Sequence, residues 1–191
     1  MPYIYSSEKN QCVCTGKPLP KRLPFPVVDV VDVLETVISN QAPLGERFES
    51  WRWAPDGVKA GRAVARALRP FGFKNFQVAS ARVVAKMENC EWIVKTVKHP
   101  EGAVTFEREA IILEELAEKA VRCLPQTFWL SPYVALQENV PLIDEEAFEM
   151  FYEKDAAEIE RMSRRLAIFD VAPTNVGWRK DGSFVFVDFE I

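Results

Sequence analysis

The chain has 191 residues, 48% of them hydrophobic and 27% charged, and a net charge of −4. That length and balance fit one compact globular domain with a sizeable core and exclude a disordered chain. No apolar run reaches the length of a bilayer span, and Met1-Pro-Tyr-Ile-Tyr lacks the basic start and apolar core of a signal peptide, so a cytoplasmic protein is expected.

The charge is unevenly spread. Residues 51–100 hold ten Lys/Arg against three Asp/Glu, and residues 101–150 hold three against eleven. A basic segment of this kind permits a phosphate-rich ligand. Nucleic acid is not indicated, because no aromatic-interleaved basic stripe or reader module is present. Among the cysteines, Cys12-x-Cys14 supplies at most two metal ligands, and with a single histidine, His99, and no second pair, free thiols are expected.

Residues 1–26, rich in Pro and Lys, carry no period and read as an irregular arm. From Val27 to Ser39, Val27, Val30, Val31, Leu34, Val37 and Ile38 follow helical spacing, with Asp29, Asp32 and Glu35 on the other side. The β-branched content lowers helix propensity, so packing must hold this helix. A loop over Asn40 to Gly45 follows. Pro55-Asp56 reads as the N-cap of a helix over Val58 to Leu68 that Pro70 stops. Lys59, Arg62, Arg66 and Arg69 share one face of it, which is either solvated or a docking surface for an acidic partner or nucleic acid.

Three strands follow: Phe76 to Ala79, Arg82 to Met87 and, after a turn at Glu88-Asn89, Glu91 to Val97. Lys95 lies in the middle of the third, among apolar and hydroxylated residues. A lysine buried there costs free energy unless an anion accompanies it. His99, before Pro100, is expected to end the strand without a chemical partner. Projected at about 100° per residue, Phe106, Ala110, Leu113, Leu116, Ala117 and Ala120 share one arc of the next helix, and Glu109 falls within it. One acid on the packed face, following one lysine on a strand, predicts a Lys95–Glu109 ion pair. Thr127 to Leu130 and Tyr133 to Leu136 read as a fourth and fifth strand, and Asp144 to Leu166 as helical. The final stretch is a loop and a hairpin: Asp170 and Asn175 flank Pro173, Val176 to Trp178 is a short strand, Lys180-Asp181-Gly182 is the turn, and the strand around Phe184 and Phe186 ends on Asp188. Two carboxylates and an amide are thereby delivered to one end of a hairpin, a set suited to a hard divalent cation.

The spacing Asp170-x4-Asn175, a hairpin, then Asp188-Phe189 resembles the catalytic loop and metal-binding motif of protein kinases and the aminoglycoside-type phosphotransferases. Ile93-Val-Lys95 is similar to the strand bearing that family's phosphate-binding lysine, and Glu109 to its helix glutamate. The match covers about residues 76–191. It implies an α+β, protein-kinase-like bilobal fold: an N-lobe over 76–140 with a five-stranded antiparallel sheet and one packed helix, and a reduced helical C-lobe over 141–191 ending in the hairpin; residues 1–75, an arm and two extra N-terminal helices, have no assignment within it. The resemblance implies that ATP and Mg2+ are the cofactors. Asp170 would orient or deprotonate a hydroxyl, Asn175 and Asp188 would hold magnesium, Lys95 would contact phosphates and Glu109 would orient Lys95. Gln137 and Glu138 would lie at the hinge that holds adenine through backbone groups.

The sequence also departs from the family. Val78-Ala79-Ser80-Ala81 has no glycine where the glycine-rich loop would fall, Ile168-Phe169 precedes Asp170, Ala172 stands where a lysine is usual, and Glu190 replaces the glycine after Asp188-Phe189. No activation segment is expected. Two readings stay open: an ATP-dependent phosphotransferase acting on a hydroxyl acceptor, and a catalytically inactive, pseudokinase-like module that binds a protein partner. Chains of this compact kind also resemble kinase-like proteins of bacteriophages, for which the partner would be a host protein.

Overall fold

The computed structural model describes residues 11–12, 16–52, 54–79, 81–120, 123–166 and 173–187. The fold is α+β. Three helices, α1 (Val27–Ser39), α2 (Phe48–Trp51) and α3 (Pro55–Leu68), precede the strands β1 (Asn75–Val78), β2 (Arg82–Lys86) and β3 (Trp92–Val97). Then come α4 (Ala103–Ala120), β4 (Thr127–Trp129), β5 (Val134–Glu138), α5 (Glu145–Leu166) and the hairpin β6 (Val176–Trp178) and β7 (Phe184–Phe186). The first five strands form one antiparallel sheet in the order β1-β2-β3-β5-β4, and β6 and β7 pair separately.

Register assigns each strand residue to a face, because directly opposed residues point the same way. Val84 pairs with Lys95 and Lys95 with Ala135, whereas Val83 pairs with Thr96 and Val94 with both Ala85 and Leu136. The second face carries Val83, Ala85, Val94, Val134 and Leu136, all fully buried. They join one core with Val30, Leu34 and Ile38 of α1 and Val64 and Leu68 of α3. α3 lies close enough that a methyl at Gly61 would sit 2.5 Å from Val78 Cγ1. This packing holds α1 together despite its valines.

The other face, which carries Lys95, is covered by α4 and the turn before it: Phe106 of α4 and Trp129 place their rings 5.1 Å apart, and Gly102, in the turn Pro100–Gly102, lies against Val97. With both faces covered, five of the six β3 residues are buried and the strand shows no polar alternation.

Two details depart from the sequence reading. α3 begins at Pro55, in the first turn, with Ala54 as its cap residue. Proline suits that position because its fixed φ is helical and its missing N–H would have no intrahelical acceptor. His99 does have partners. Its Nε2 lies 2.9 Å from the Ala42 carbonyl, the Glu101 N–H donates to its Nδ1 at 3.3 Å, and its ring meets Trp51 at 5.0 Å. The neighbouring Lys98, also buried, donates to the Arg52 carbonyl at 2.9 Å. Glu101 accepts the Leu44 and Gly45 N–H groups at 2.8 Å, bonds that hold its carboxyl below the usual range. These contacts tie residues 41–52 to the end of β3, and no local pattern announces partners so far away in the chain.

Candidate functional site

Lys95 is the middle of the sheet's central strand, and its side chain is 5% exposed. β3 is hydrogen-bonded on both sides, so the amine cannot bend round a strand edge to water. Across this face α4 turns Glu109 inward, one helical turn after Phe106, and the carboxylate is 1% exposed. The Lys95 Nζ to Glu109 Oε1 distance is 3.6 Å. That is an ion pair but lies beyond good hydrogen-bond length. Lys95 instead donates at 2.8 Å to the carbonyl of Val187, the residue before Asp188.

The hairpin reaches the sheet through a short series of contacts. Leu142 bridges to Gly177, Trp178 N–H donates to the Pro141 carbonyl, and Val187 N–H donates to the Asn175 carbonyl at 2.9 Å. Lys95, Glu109, Val187 and the backbone of Asn175 are thereby gathered at one locality. Asp170 and Asp188, the expected base and metal ligand, lie outside the described residues.

Arg82 joins this group, and the sequence reading did not single it out as a site residue. It opens β2, two residues from the partner of Lys95, and its Nη1 donates to Glu109 Oε2 at 2.8 Å with side chains 8% and 1% exposed. The guanidinium also lies over the Phe106 ring, 5.9 Å from its centroid. One buried carboxylate is therefore shared by two cations. Glu109 Oε1 has no hydrogen-bond donor among the described residues.

The turn before Arg82 is short. Ala79 N–H donates to the Arg82 carbonyl at 2.9 Å, closing β1 onto β2 across three residues. The Ala79 N–H thus faces the protein itself.

Gln137 and Glu138 have other engagements. Gln137 shares the Lys95 face, two register positions along, and its Nε2 donates to Thr127 Oγ1 at 3.3 Å. Glu138 N–H donates to the Gln126 carbonyl and Asn139 N–H to the Glu91 carbonyl, both at 2.8 Å. The Glu138 carboxylate accepts a two-pronged bond from Arg179, 2.8 Å on each oxygen. Arg179 also donates to the Leu124 carbonyl at 2.8 Å, fastening the hairpin to β5 and to the segment before β4.

The basic face of α3 is exposed. Lys59, Arg62, Arg66 and Arg69 all face solvent, and Lys59 pairs with Asp56 at 3.0 Å. Cys90 is a buried free thiol. Among the described residues there is no group of three or more His, Cys, Asp or Glu that could hold a metal ion, and no helix long and apolar enough to cross a membrane. Comparison with known proteins finds no matching family, no matching curated protein and no matching solved structure.

Proposed function

We propose that this protein is a minimal kinase-like module that binds ATP with magnesium and transfers the γ-phosphoryl group to a hydroxyl acceptor. The observation that carries this reading is the placement of the buried Lys95 amine, 3.6 Å from the Glu109 carboxylate and bonded to the carbonyl immediately before Asp188. A lysine is retained inside a sheet at a cost in desolvation, and an anionic ligand beside it offsets that cost. The residues fit the cofactor in kind. Lys95 supplies a phosphate-directed ammonium, Glu109 has a buried oxygen facing that ammonium, and Asn175 and Asp188 are hard oxygen donors of the type magnesium takes. Magnesium, when bound, neutralises the charge of the phosphate oxygens. Asp170 would orient the acceptor hydroxyl and take its proton. A cytoplasmic location accords with this reading.

The test is a thermal-shift titration with ATP and magnesium, repeated on Asp188→Ala. The expected result is a metal-dependent rise in melting temperature that the substitution removes; ligand at about a hundred times its Kd stabilises by roughly 2.7 kcal/mol. No shift at millimolar ATP would overturn it.

One observation favours the second reading, an inactive pseudokinase-like module for a protein partner. The turn between β1 and β2 is three residues long, and its Ala79 N–H is bonded internally rather than open to a phosphate. Transfer of radiolabel from γ-labelled ATP separates enzyme from binder.

A further inference from the structure

We propose that the outer surface of α1 and α3 is a self-complementary interface through which two copies of this chain form a weak two-fold dimer. The proposal is independent of the nucleotide-binding reading and concerns the face of the sheet opposite Lys95.

α1 and α3 lie side by side, and each gives one stripe to the core, Val30, Leu34 and Ile38 from the first and Val64 and Leu68 from the second. At about 100° per residue those stripes fix what points away from the sheet. On α1 the outward side carries Asp29 and Asp32, both exposed, with the partly buried Glu35 at its margin. On α3 it carries Lys59 and Arg66, with Arg62 and, just past the helix end, Arg69 at its margin, all exposed. Neighbouring helices thus present stripes of opposite sign. Lys59 pairs with Asp56 of its own helix, but Arg62, Arg66, Arg69 and the three acids of α1 make no ion pair among the described residues. The two stripes share one surface without neutralising each other, because both point away from the sheet.

Unpaired arginines in a row suit a nucleic acid, an acidic protein or a second copy of this chain. The acids of α1 decide between them. A polyanion laid along α3 meets Asp29 and Asp32 alongside it, and their repulsion offsets the attraction. A second copy, turned about a two-fold axis running between the helices, sets its α1 on α3 and its α3 on α1, so that both stripes are neutralised at once. The lengths agree: Asp29 to Glu35 rises about 9 Å and Arg62 to Arg69 about 10 Å at roughly 1.5 Å per residue. Because one patch serves both copies, association closes at the dimer. Val28, 69% exposed beside Asp29, is covered in it. Helices of 13 and 14 residues are about 20 Å long, and two of them packed together give a footprint of about 400 Å², at the small end of specific interfaces. The dimer is accordingly reversible, and salt screens the charges that hold it.

The test is sedimentation equilibrium of the full chain over about 1–100 μM, in roughly 50 mM and 500 mM salt. A concentration-dependent doubling of mass is expected at low salt and its loss at high salt. Arg62→Glu/Arg66→Glu and, separately, Asp29→Lys/Asp32→Lys should each weaken the dimer by about tenfold or more. Mixed in equal amounts, the two variants should pair one to one, because each then offers the other the missing sign at both contacts. A wild type that stays monomeric throughout overturns the proposal and leaves the stripes as solvated faces. A dimer unchanged in both variants, or a mixture of folded variants that does not pair, overturns it as well. Retention of a DNA or RNA duplex by a monomeric wild type, lost in Arg62→Glu/Arg66→Glu, would put nucleic acid in place of the second copy. Should a variant lack the circular dichroism of the folded chain, the salt series on the wild type decides: a dimer equally stable at both salts overturns the proposal.

Discussion

Glu138 and Arg179 tie the last residue of the sheet's fifth strand to the hairpin, with side chains 18% and 20% exposed. Burial acts to raise the Glu138 carboxyl, but the Arg179 bonds and charge and the Gln126 N–H outweigh it, and the net direction is below the usual glutamate value. A carboxylate lowered on folding adds stability above its unfolded value of 4.5, and that contribution is lost as pH falls through the lower folded value. Glu138→Gln should therefore destabilise by about 1–2 kcal/mol at neutral pH, and its urea-unfolding curve should converge on that of the wild type as pH is lowered through the carboxylate range. A loss that does not shrink in acid would show that shape, not charge, is what Glu138 contributes. Lys95 and Glu109 were legible in the sequence because a lysine inside an apolar strand and a lone acid on a packed helical arc both break a pattern. Arg82 and Arg179 break none. One opens a strand and the other precedes a turn, both ordinary places for arginine, and their carboxylates lie 27 and 41 residues away.

At the scale of elements, α3 shows what periodicity conveys and what it does not. Its polar face was readable from the spacing of Lys59, Arg62, Arg66 and Arg69. Its contact with the sheet depends on Gly61, where a Cβ would stand 2.5 Å from Val78 Cγ1 and 2.9 Å from Lys98 Cδ. Neither neighbour moves freely, since Val78 is in β1 and Lys98 is buried with its amine bonded to Arg52. Gly61→Ala would gain up to about 1 kcal/mol in helix propensity, but pushing α3 off the sheet should outweigh it, for a net loss of about 1–2 kcal/mol in a denaturation experiment. A stabilised variant would mean that α3 slides without resistance. The strands were legible because turn residues punctuate them, as with Asn89 at φ 56° between β2 and β3 and Gly182 at φ 83° between β6 and β7. Burial of both faces was not, because a strand covered twice loses the alternation that would identify its inner side.

The relation of residues 27–68 to the sheet is a property of the whole molecule, and it makes a prediction about cooperativity. α1 and α3 cover Val83, Ala85, Val94, Val134 and Leu136, and the contacts of Lys98 and His99 fasten the segment between these helices to the end of β3. Uncovering the four larger of those side chains would forfeit roughly 6–12 kcal/mol at ~1.5–3 kcal/mol each. That is comparable to the whole stability of a domain of this size, about 5–15 kcal/mol. The N-terminal helices and the sheet should therefore unfold together. Tryptophan fluorescence samples both parts, through Trp51 in α2 and Trp92 in β3, so its urea transition should coincide with that of far-UV circular dichroism. A fragment of residues 75–191 should lack a cooperative transition and expose the uncovered face as a dye-binding surface. If that fragment instead unfolded sharply, the face of the sheet that carries Lys95 would hold together without those helices. The helices before it would then be an independent cover whose removal the core withstands.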